Sequence, residues 1–270
     1  RALQRGLDDI RAEAARKEKG ADSEKKRDLY RAMQVAIVGV LEYASHMAAR
    51  AEELAAEFDP DDLETADRRA RLLRMADACR HVPAKPARNL FDAAQAIWLL
   101  FLCQHQENIN AGLSLGRLDS WMQPYLERDL AQVDDPEQRQ WILDDALEIT
   151  CALMLKCTDH LPLVPDMGSR LFGGSSSDQV ITLGGQTRDG ATAVCDMTWI
   201  FLKATELLRL RDPNVNARFA PGINSDAYLR RLCEVNLLTR ATPSLHNDDA
   251  VLPAMAAQGF AIEDARDWSA

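Results

Sequence analysis

Apolar residues recur at helical spacing throughout the N-terminal part of the chain. A stripe of leucine and isoleucine predicts a first helix over residues 2–16, and a polar stretch at 20–23 interrupts it. Proline-containing stretches separate three further helical patterns, at about 25–58, 62–79 and 89–107. We therefore predict that this part of the chain is all-helical.

Beyond residue 108, short apolar runs alternate with helical patterns. The runs at 180–183, 214–219 and 244–246 predict three β-strands. Helical patterns lie at about 117–130, 136–159, 194–209, 226–240 and 250–257. Residues 108–116 and 160–178 follow neither pattern, and we expect loops there. Strands that alternate with helices predict an α/β fold built in layers.

Composition and charge narrow the classes of partner. Of the 270 residues, 47% are apolar and 27% are charged, which is typical of a globular protein. A net charge of −10 does not favour binding to duplex nucleic acid or to an anionic membrane surface. The longest apolar run, Ala96–Cys103, is too short to cross a bilayer. We therefore expect no nucleic acid and no membrane as partners.

The cysteines and the chain ends add two expectations. Six cysteines are scattered through apolar stretches, which favours reduced thiols in a cytoplasmic protein over a disulfide framework. Cys151, Cys157 and His160 lack a fourth ligand nearby, so we expect core cysteines and no metal site. The sequence opens at Arg1 inside a helical pattern and stops at Ala270 without a polar tail. It therefore resembles an internal piece of a longer protein.

Common catalytic motifs are missing from the sequence. There is no HExxH or GxGxxG pattern, and the run Gly173–Ser177 lacks the lysine of a phosphate-binding loop. We expect that run to be a flexible loop. A plain α/β hydrolase remains a weak alternative because no nucleophile–base pair supports it.

Three polar segments each allow a structural and a functional interpretation. The cluster Ser244–Asp249 is either the cap of the following helix or one side of a pocket. Asn214, Asn216 and Arg218 alternate along a predicted strand, so they share one face, which either solvent or a polar pocket covers. The segment 108–117 is either a connector or a loop whose glycines let backbone approach a ligand.

Short motifs also occur in a defined order along the whole chain. They are Pro83-Ala84, Phe91-Asp92-Ala93-Ala94-Gln95, Glu107-Asn108-Ile109-Asn110, Ser114-Leu115-Gly116-Arg117-Leu118-Asp119, Pro124-Tyr125, Thr182-Leu183-Gly184-Gly185, Asp189-Gly190, Asp212-Pro213-Asn214, Pro243-Ser244-Leu245-His246-Asn247-Asp248 and Glu263-Asp264-Ala265-Arg266-Asp267. No single motif is diagnostic, but the ordered set resembles that of the glycyl radical enzymes, the pyruvate formate-lyase superfamily.

The resemblance implies a ten-stranded α/β barrel made of two five-stranded halves and wrapped by helices. Residues 1–108 would supply part of the helical wrap, and residues 109–270 a partial half-barrel. Both parts would belong to one pyruvate formate-lyase-like domain. A homodimer is also implied by the resemblance.

The resemblance further implies a radical mechanism, with no cofactor bound directly. A separate iron–sulfur activase that uses S-adenosylmethionine installs a glycyl radical on the full-length protein. That radical oxidises a cysteine, and the thiyl radical abstracts hydrogen from a small-molecule substrate inside a barrel that excludes water. The family's cysteine follows a few residues after the stretch that matches Glu263–Ala270. We therefore expect no catalytic residue within this chain and no activity of this piece alone.

The expected contribution of this chain is a pocket wall formed by Ala111, Gly112, Asn216 and Arg218. Diol dehydratases of the family typically carry His-Ser at the first two positions. Alanine and glycine remove two hydrogen-bonding groups and add space, which disfavours dehydration of glycerol or propanediol. A pyruvate-type substrate or a bulkier aryl acid is favoured instead. For Arg117 we expect an internal salt bridge.

The full-length protein is thus predicted to be a glycyl radical lyase or acyltransferase of the formate C-acetyltransferase type. It would cleave a C–C or C–heteroatom bond of a small organic acid or a related substrate. One alternative is a glycyl radical dehydratase or aryl-acid decarboxylase. The other is a radical-free paralogue that acts as a scaffold or partner subunit.

Overall fold

The computed structural model describes residues 1–107, 112–159 and 179–269. The chain divides into two compact units, residues 1–107 and residues 108–270. The first unit is helical, and the second combines a parallel sheet with helices. Among the described residues, no helix is long and apolar enough to cross a membrane.

Four helices make up the first unit: α1 (Ala2–Lys19), α2 (Glu24–Ala56), α3 (Ala66–His81) and α4 (Leu90–Glu107). Ser23 caps α2 by accepting a hydrogen bond at its side-chain oxygen. Ala44 and Ala48 of α2 pack in one buried cluster with Cys79 and Leu99. Their small side chains let the long helix lie close to its neighbours.

A kink near the start of α1 depends on one glycine. Gly6 has a φ of 74°, and a Cβ there would lie 2.3 Å from the backbone oxygen of Ala84. Beyond the kink, Leu7 N donates to Pro83 O at 2.8 Å, and Asp8 N donates to Ala84 O at 3.1 Å. The left-handed backbone at Gly6 therefore allows α1 to bind the loop after α3 directly.

The described residues of the second unit are organised around a parallel sheet of four strands. Its strands are β1 (Leu113–Ser114), β2 (Gln179–Gly184), β3 (Asn214–Phe219) and β4 (Ser244–Asn247), in the order β1-β2-β3-β4. In register, Thr182 pairs with Asn216, and Asn216 pairs with Ser244. The carboxyl ends of all four strands meet at one edge, which we call the carboxyl edge.

Within the described part of this unit, the helices that accompany the sheet are α5 (Leu118–Leu130), α6 (Pro136–Asp159), α7 (Asp196–Leu208), α8 (Asp226–Thr239), α9 (Asp248–Ala257) and α10 (Ile262–Arg266). Ser225 caps α8 by accepting from Tyr228 N at 3.2 Å. Buried side chains of the strands and helices form the core, among them Ile181, Leu183, Val215, Ala217, Met122, Leu126, Phe201, Leu202, Tyr228 and Leu232. Their burial supplies the hydrophobic driving force for this unit.

Most elements lie where the hydrophobic pattern predicted them, and β3 has the predicted bounds. The prediction that residues 108–116 form only a loop is wrong, because Leu113–Ser114 forms β1. A strand of two residues is too short to show a hydrophobic pattern, and Leu113–Ser114 is extended because it pairs with β2. The pattern also missed α10, which is only five residues long. The predicted loop at 160–178 lies outside the described residues.

Candidate functional site

The two faces of the sheet differ in chemistry. On one face, Ile181, Leu183, Val215 and Ala217 are all buried. The opposite face, which we call the polar face, carries Thr182, Gly184, Asn216, Arg218, Ser244 and His246 in two cross-strand rows. Asn214, Asn216 and Arg218 alternate along β3 and so share the polar face, as the sequence pattern predicted.

A buried ion pair lies at the carboxyl edge on this face. Arg218 Nε donates to Asp248 Oδ1 at 3.0 Å, and Nη2 donates to Oδ2 at 2.8 Å. Both side chains are 0% exposed. Burial lowers the pKa of Arg218, and the charge and hydrogen bonds of Asp248 oppose that shift. The two-pronged geometry fixes the plane of the guanidinium group.

Gly185, the residue after β2, makes room for this arginine. Its φ is 76°, and a Cβ there would lie 2.7–2.9 Å from Nε, Cβ and Cζ of Arg218. An alanine would therefore meet both an unfavourable backbone conformation and the arginine side chain. The Gly184-Gly185 pair is thus part of how the sequence accommodates a buried guanidinium group.

Arg117 forms a second buried cationic site at the same edge. Its Nη2 donates to Gly184 O at 3.0 Å, and its Nη1 donates to Asp267 Oδ1 at 3.1 Å. Nη1 also lies 3.5 Å from Arg266 O. The predicted internal salt bridge of Arg117 is therefore present, with Asp267 as its partner.

The residues around Trp268 lie against both arginines. Arg218 Nη1 donates to Trp268 O at 3.0 Å, and the Arg218 guanidinium carbon lies 4.8 Å from the centre of the Trp268 ring. The same ring meets His246 edge-on, with centroids 5.4 Å apart. A cation above an aromatic ring is attracted by the ring quadrupole, so Trp268 is held through both its backbone and its side chain.

One further hydrogen bond organises the polar face below the ion pair. Asn216 Oδ1 and His246 Nε2 lie 2.8 Å apart. The amide oxygen can only accept, so the imidazole donates from Nε2, and the amide nitrogen of Asn216 keeps its donors for another partner. Asn216 is only 5% exposed, which makes this a buried polar position rather than a surface one.

A hydrogen-bond network behind the carboxyl edge holds β2 in place. Asp119 Oδ2 accepts from Gly184 N at 2.8 Å and from Thr198 Oγ1 at 2.7 Å. Burial raises the pKa of Asp119, and these hydrogen bonds act in the opposite direction. Burial and the nearby Asp119 together raise the pKa of the Cys195 thiol to about 11. Cys195 is therefore a poor nucleophile in this environment.

Side chains of metal-binding types and buried thiols both occur among the described residues. No group of three or more His, Cys, Asp or Glu side chains among them could hold a metal ion. None of the six cysteines forms a disulfide, and burial raises the pKa of Cys157 to about 12 and that of Cys79 to about 11. His160, considered above with Cys151 and Cys157, lies outside the described residues.

The four predicted pocket residues divide by position. Asn216 and Arg218 lie on the polar face, and Gly112 immediately precedes β1. Ala111 lies outside the described residues. In the cluster Ser244–Asp249 the predicted cap is present, because Asn247 caps α9 by accepting from Asp249 N, and Asp248 pairs with Arg218, while the pocket role stays a prediction.

Sequence reasoning did not identify three partners at this site: Asp248 as the counter-ion of Arg218, Asp267 as that of Arg117, and Trp268. Asp248 is 30 positions from Arg218 along the chain, and Asp267 is 150 positions from Arg117. One signal in the sequence could have indicated these partners: polar residues follow the predicted strands repeatedly. The carboxyl ends of parallel strands meet at one edge of a sheet, so such residues come together there.

Comparison with known proteins shows which family this chain resembles. The family model described as pyruvate formate lyase-like matches residues 1–270. A curated relative, the isethionate sulfite-lyase of Desulfovibrio desulfuricans, is 28% identical over 278 residues, covering 99% of this chain and 32% of the relative. The chain thus spans about a third of the length of such relatives.

Solved structures share the fold. A structure described under 1,2-propanediol dehydration in Roseburia inulinivorans matches with a TM-score of 0.84 and 26% identity, over 99% of this chain and 33% of that one. A glycyl radical enzyme from Archaeoglobus fulgidus matches with a TM-score of 0.81 and 27% identity, over 98% and 33%. These matches confirm the predicted α/β fold class. Glycyl radical enzymes are generally activated by a radical S-adenosylmethionine activase.

Proposed function

The chain belongs to the pyruvate formate-lyase-like family, and from that premise we propose that the complete protein is a glycyl radical enzyme. Its proposed reaction is cleavage of a carbon–heteroatom bond in a small organic acid. The similarity to an isethionate sulfite-lyase and to an enzyme of 1,2-propanediol dehydration supports this class of reaction. The observation that carries the proposal is the family match over the whole chain.

The proposed contribution of this chain is a polar wall of the reaction chamber. In the complete enzyme, the glycyl radical installed by the activase supplies the oxidising power for hydrogen abstraction by a cysteine that follows Ala270. Asn216 is proposed to bind the substrate, because His246 occupies its amide oxygen and its amide nitrogen has no partner in the part of the chain that the structure describes. Donors of this kind suit an oxyanion group such as a carboxylate or a sulfonate.

Arg218 adds positive charge to the same wall, although Asp248 balances much of it. Ala111 and Gly112 are proposed to border the pocket at the β1 side. Neither side chain can hydrogen-bond a substrate hydroxyl, so a diol would have fewer partners there than an acid. This composition supports an acidic substrate over glycerol or propanediol.

The proposal is tested on the complete protein, activated under anaerobic conditions by its activase. Electron paramagnetic resonance is expected to show a protein-based glycyl radical. Product analysis by mass spectrometry then follows a panel of isethionate, 1,2-propanediol, and pyruvate with coenzyme A. We expect turnover of the acidic substrate that loses a heteroatom group and none of the diol. Absence of any radical with a competent activase overturns the proposal.

Other outcomes of the panel select the remaining alternatives. Turnover of pyruvate with coenzyme A would identify the acyltransferase type, and turnover of the diol would identify a dehydratase. A complete protein that lacks the cysteine and forms no radical would be a scaffold or partner subunit. Residues 1–270 alone are proposed to be inactive. The homodimer and the cytoplasmic location also remain proposals, to be tested by light scattering and by cell fractionation.

A further inference from the structure

The last described segment of the chain, residues 262–269, has little stability of its own. α10 comprises five residues, and no side chain among the described residues caps its N-terminus. Helices of that length do not persist in water without tertiary contacts. The position of this segment therefore depends on the residues that contact it, and we call it the C-terminal segment.

Two buried arginines contact this segment, Arg117 at the start of α5 and Arg218 on β3, and His246 lies against the Trp268 ring. Arg218 donates to the backbone oxygen of Trp268 at 3.0 Å and lies over its ring. Arg117 donates to the Asp267 carboxylate at 3.1 Å. Arg188 also pairs with Asp264 at 2.7 Å and with Asp267 at 3.6 Å, but these side chains are exposed, so the pairs contribute little. We call Arg117 and Arg218 the arginine clamp.

The strength with which the C-terminal segment is held does not explain why arginines occupy positions 117 and 218. Taking a guanidinium group out of water is costly, and well-packed apolar residues can hold a segment equally well. What a guanidinium group adds is direction, because its rigid fork fixes several hydrogen bonds in one plane. Arg218 uses Nε and Nη2 on Asp248 and Nη1 on Trp268, so the plane of the ion pair sets the path of the backbone.

The other side of the clamp works in the same way. Arg117 bridges Gly184 O, at the end of β2, to the carboxylate of Asp267. The carboxyl ends of β2 and β3 are thus tied to successive residues of the C-terminal segment. Arg117 Nε is buried and has no hydrogen-bond partner among the described residues, so Nη1 and Nη2 make the bonds of this side chain.

We propose that Arg117 and Arg218 are positioning residues, which fix the direction in which the chain leaves Trp268 at the carboxyl edge. This inference rests on the proposed function, in which the reacting cysteine follows shortly after Ala270. The clamp then sets the distance between that cysteine and a substrate bound on the polar face. It acts through the backbone and makes no contact with the reacting atoms.

The test uses the complete, activated protein with Arg218→Lys and Arg117→Lys. Lysine keeps the charge but has no planar fork. We expect kcat to fall about 10- to 100-fold, as misplacement by about 1 Å does at other sites. The yield of glycyl radical and the KM are expected to stay within about twofold, since neither depends on the path of the C-terminal segment.

Arg231→Lys is the matched control, because Arg231 pairs with Glu206 on the helices and lies away from the carboxyl edge. It is expected to leave kcat, KM and radical yield unchanged. An unchanged kcat in both clamp variants would overturn the positioning role. So would a rise in KM at constant kcat, which would indicate that Arg218 binds the substrate directly.

Backbone hydrogen exchange of the C-terminal segment provides a readout that does not need turnover. Both clamp variants are expected to lose protection in peptides covering 262–269 by about tenfold or more, and Arg231→Lys is not. If the wild-type protein forms no radical, the proposed function fails, and exchange still decides on the clamp. Unchanged protection in the clamp variants overturns the clamp whatever the radical chemistry shows.

Discussion

Replacing Gly185 by alanine would place a methyl group directly against the Arg218 side chain. The new Cβ would lie 2.7 Å from Arg218 Nε and 2.8 Å from its Cβ, at a φ of 76°. A non-glycine residue in this region of backbone conformation costs about 1–2 kcal/mol. Overpacking a filled site adds about 1–3 kcal/mol. We therefore expect the local opening free energy of β2 and β3 to fall by about 2–5 kcal/mol in total.

Gly222 provides the matched control for that variant. Its φ is 75°, but no atom lies within 4 Å of the position that a Cβ would occupy. Gly222→Ala therefore carries the backbone cost alone, about 1–2 kcal/mol. The difference between the two variants isolates the contact with Arg218.

The assay is backbone hydrogen exchange of the complete protein, read by mass spectrometry in peptides that cover 179–184 and 214–219. Each factor of ten in protection corresponds to about 1.4 kcal/mol of opening free energy. Gly185→Ala should lose more protection there than Gly222→Ala loses around residue 222. Equal losses would refute the reasoning, because Arg218 would then have room to move aside without consequence.

Two further predictions concern buried groups of the same unit. Asp248→Ala leaves Arg218 buried without its counter-ion and should cost about 3–5 kcal/mol of local stability. Combining Arg218→Met with Asp248→Leu should recover most of that stability. Backbone hydrogen exchange in β3 measures both effects, and a double variant as unstable as Asp248→Ala would contradict the prediction. Burial raises the pKa of Cys157 from 9.0 to about 12, so its thiolate fraction at pH 8 should be about a thousandfold below that of a free thiol. Peptide-resolved alkylation checks this, and native labelling of Cys157 at the rate seen after denaturation would contradict it.

The elements that the sequence predicted well are those with a local cause. The bounds of β3 follow from alternation along Asn214–Phe219, and α8 begins where Ser225 can cap it. In contrast, β1 is a strand only because β2 lies beside it, and α10 is ordered by residues far away in sequence. Periodicity carries no information on such non-local causes.

The candidate site shows the same division. Alternation was sufficient to place Asn216 and Arg218 on one face. It could not supply Asp248 as the counter-ion, because that pairing depends on the register of β3 against β4 and on where α9 begins. In this polar cluster the cap interpretation is confirmed, because Asn247 caps the helix, and the adjacent Asp248 forms an ion pair that neither interpretation named.

The polar face resembles neither a solvent-exposed face nor an apolar core face of a sheet. A solvent face would be exposed, yet Thr182 and Arg218 are 0% exposed. A core face of a parallel sheet would be apolar, because helices normally cover both sides. Here a hydroxyl, an amide, an imidazole and a guanidinium group occupy corresponding positions on three adjacent strands. Thr182, Asn216 and Arg218 are buried, whereas Ser244 and His246 are half-buried. A few buried polar groups are what the proposed substrate-binding wall requires, and Asn216 is the residue to which the proposal assigns substrate binding.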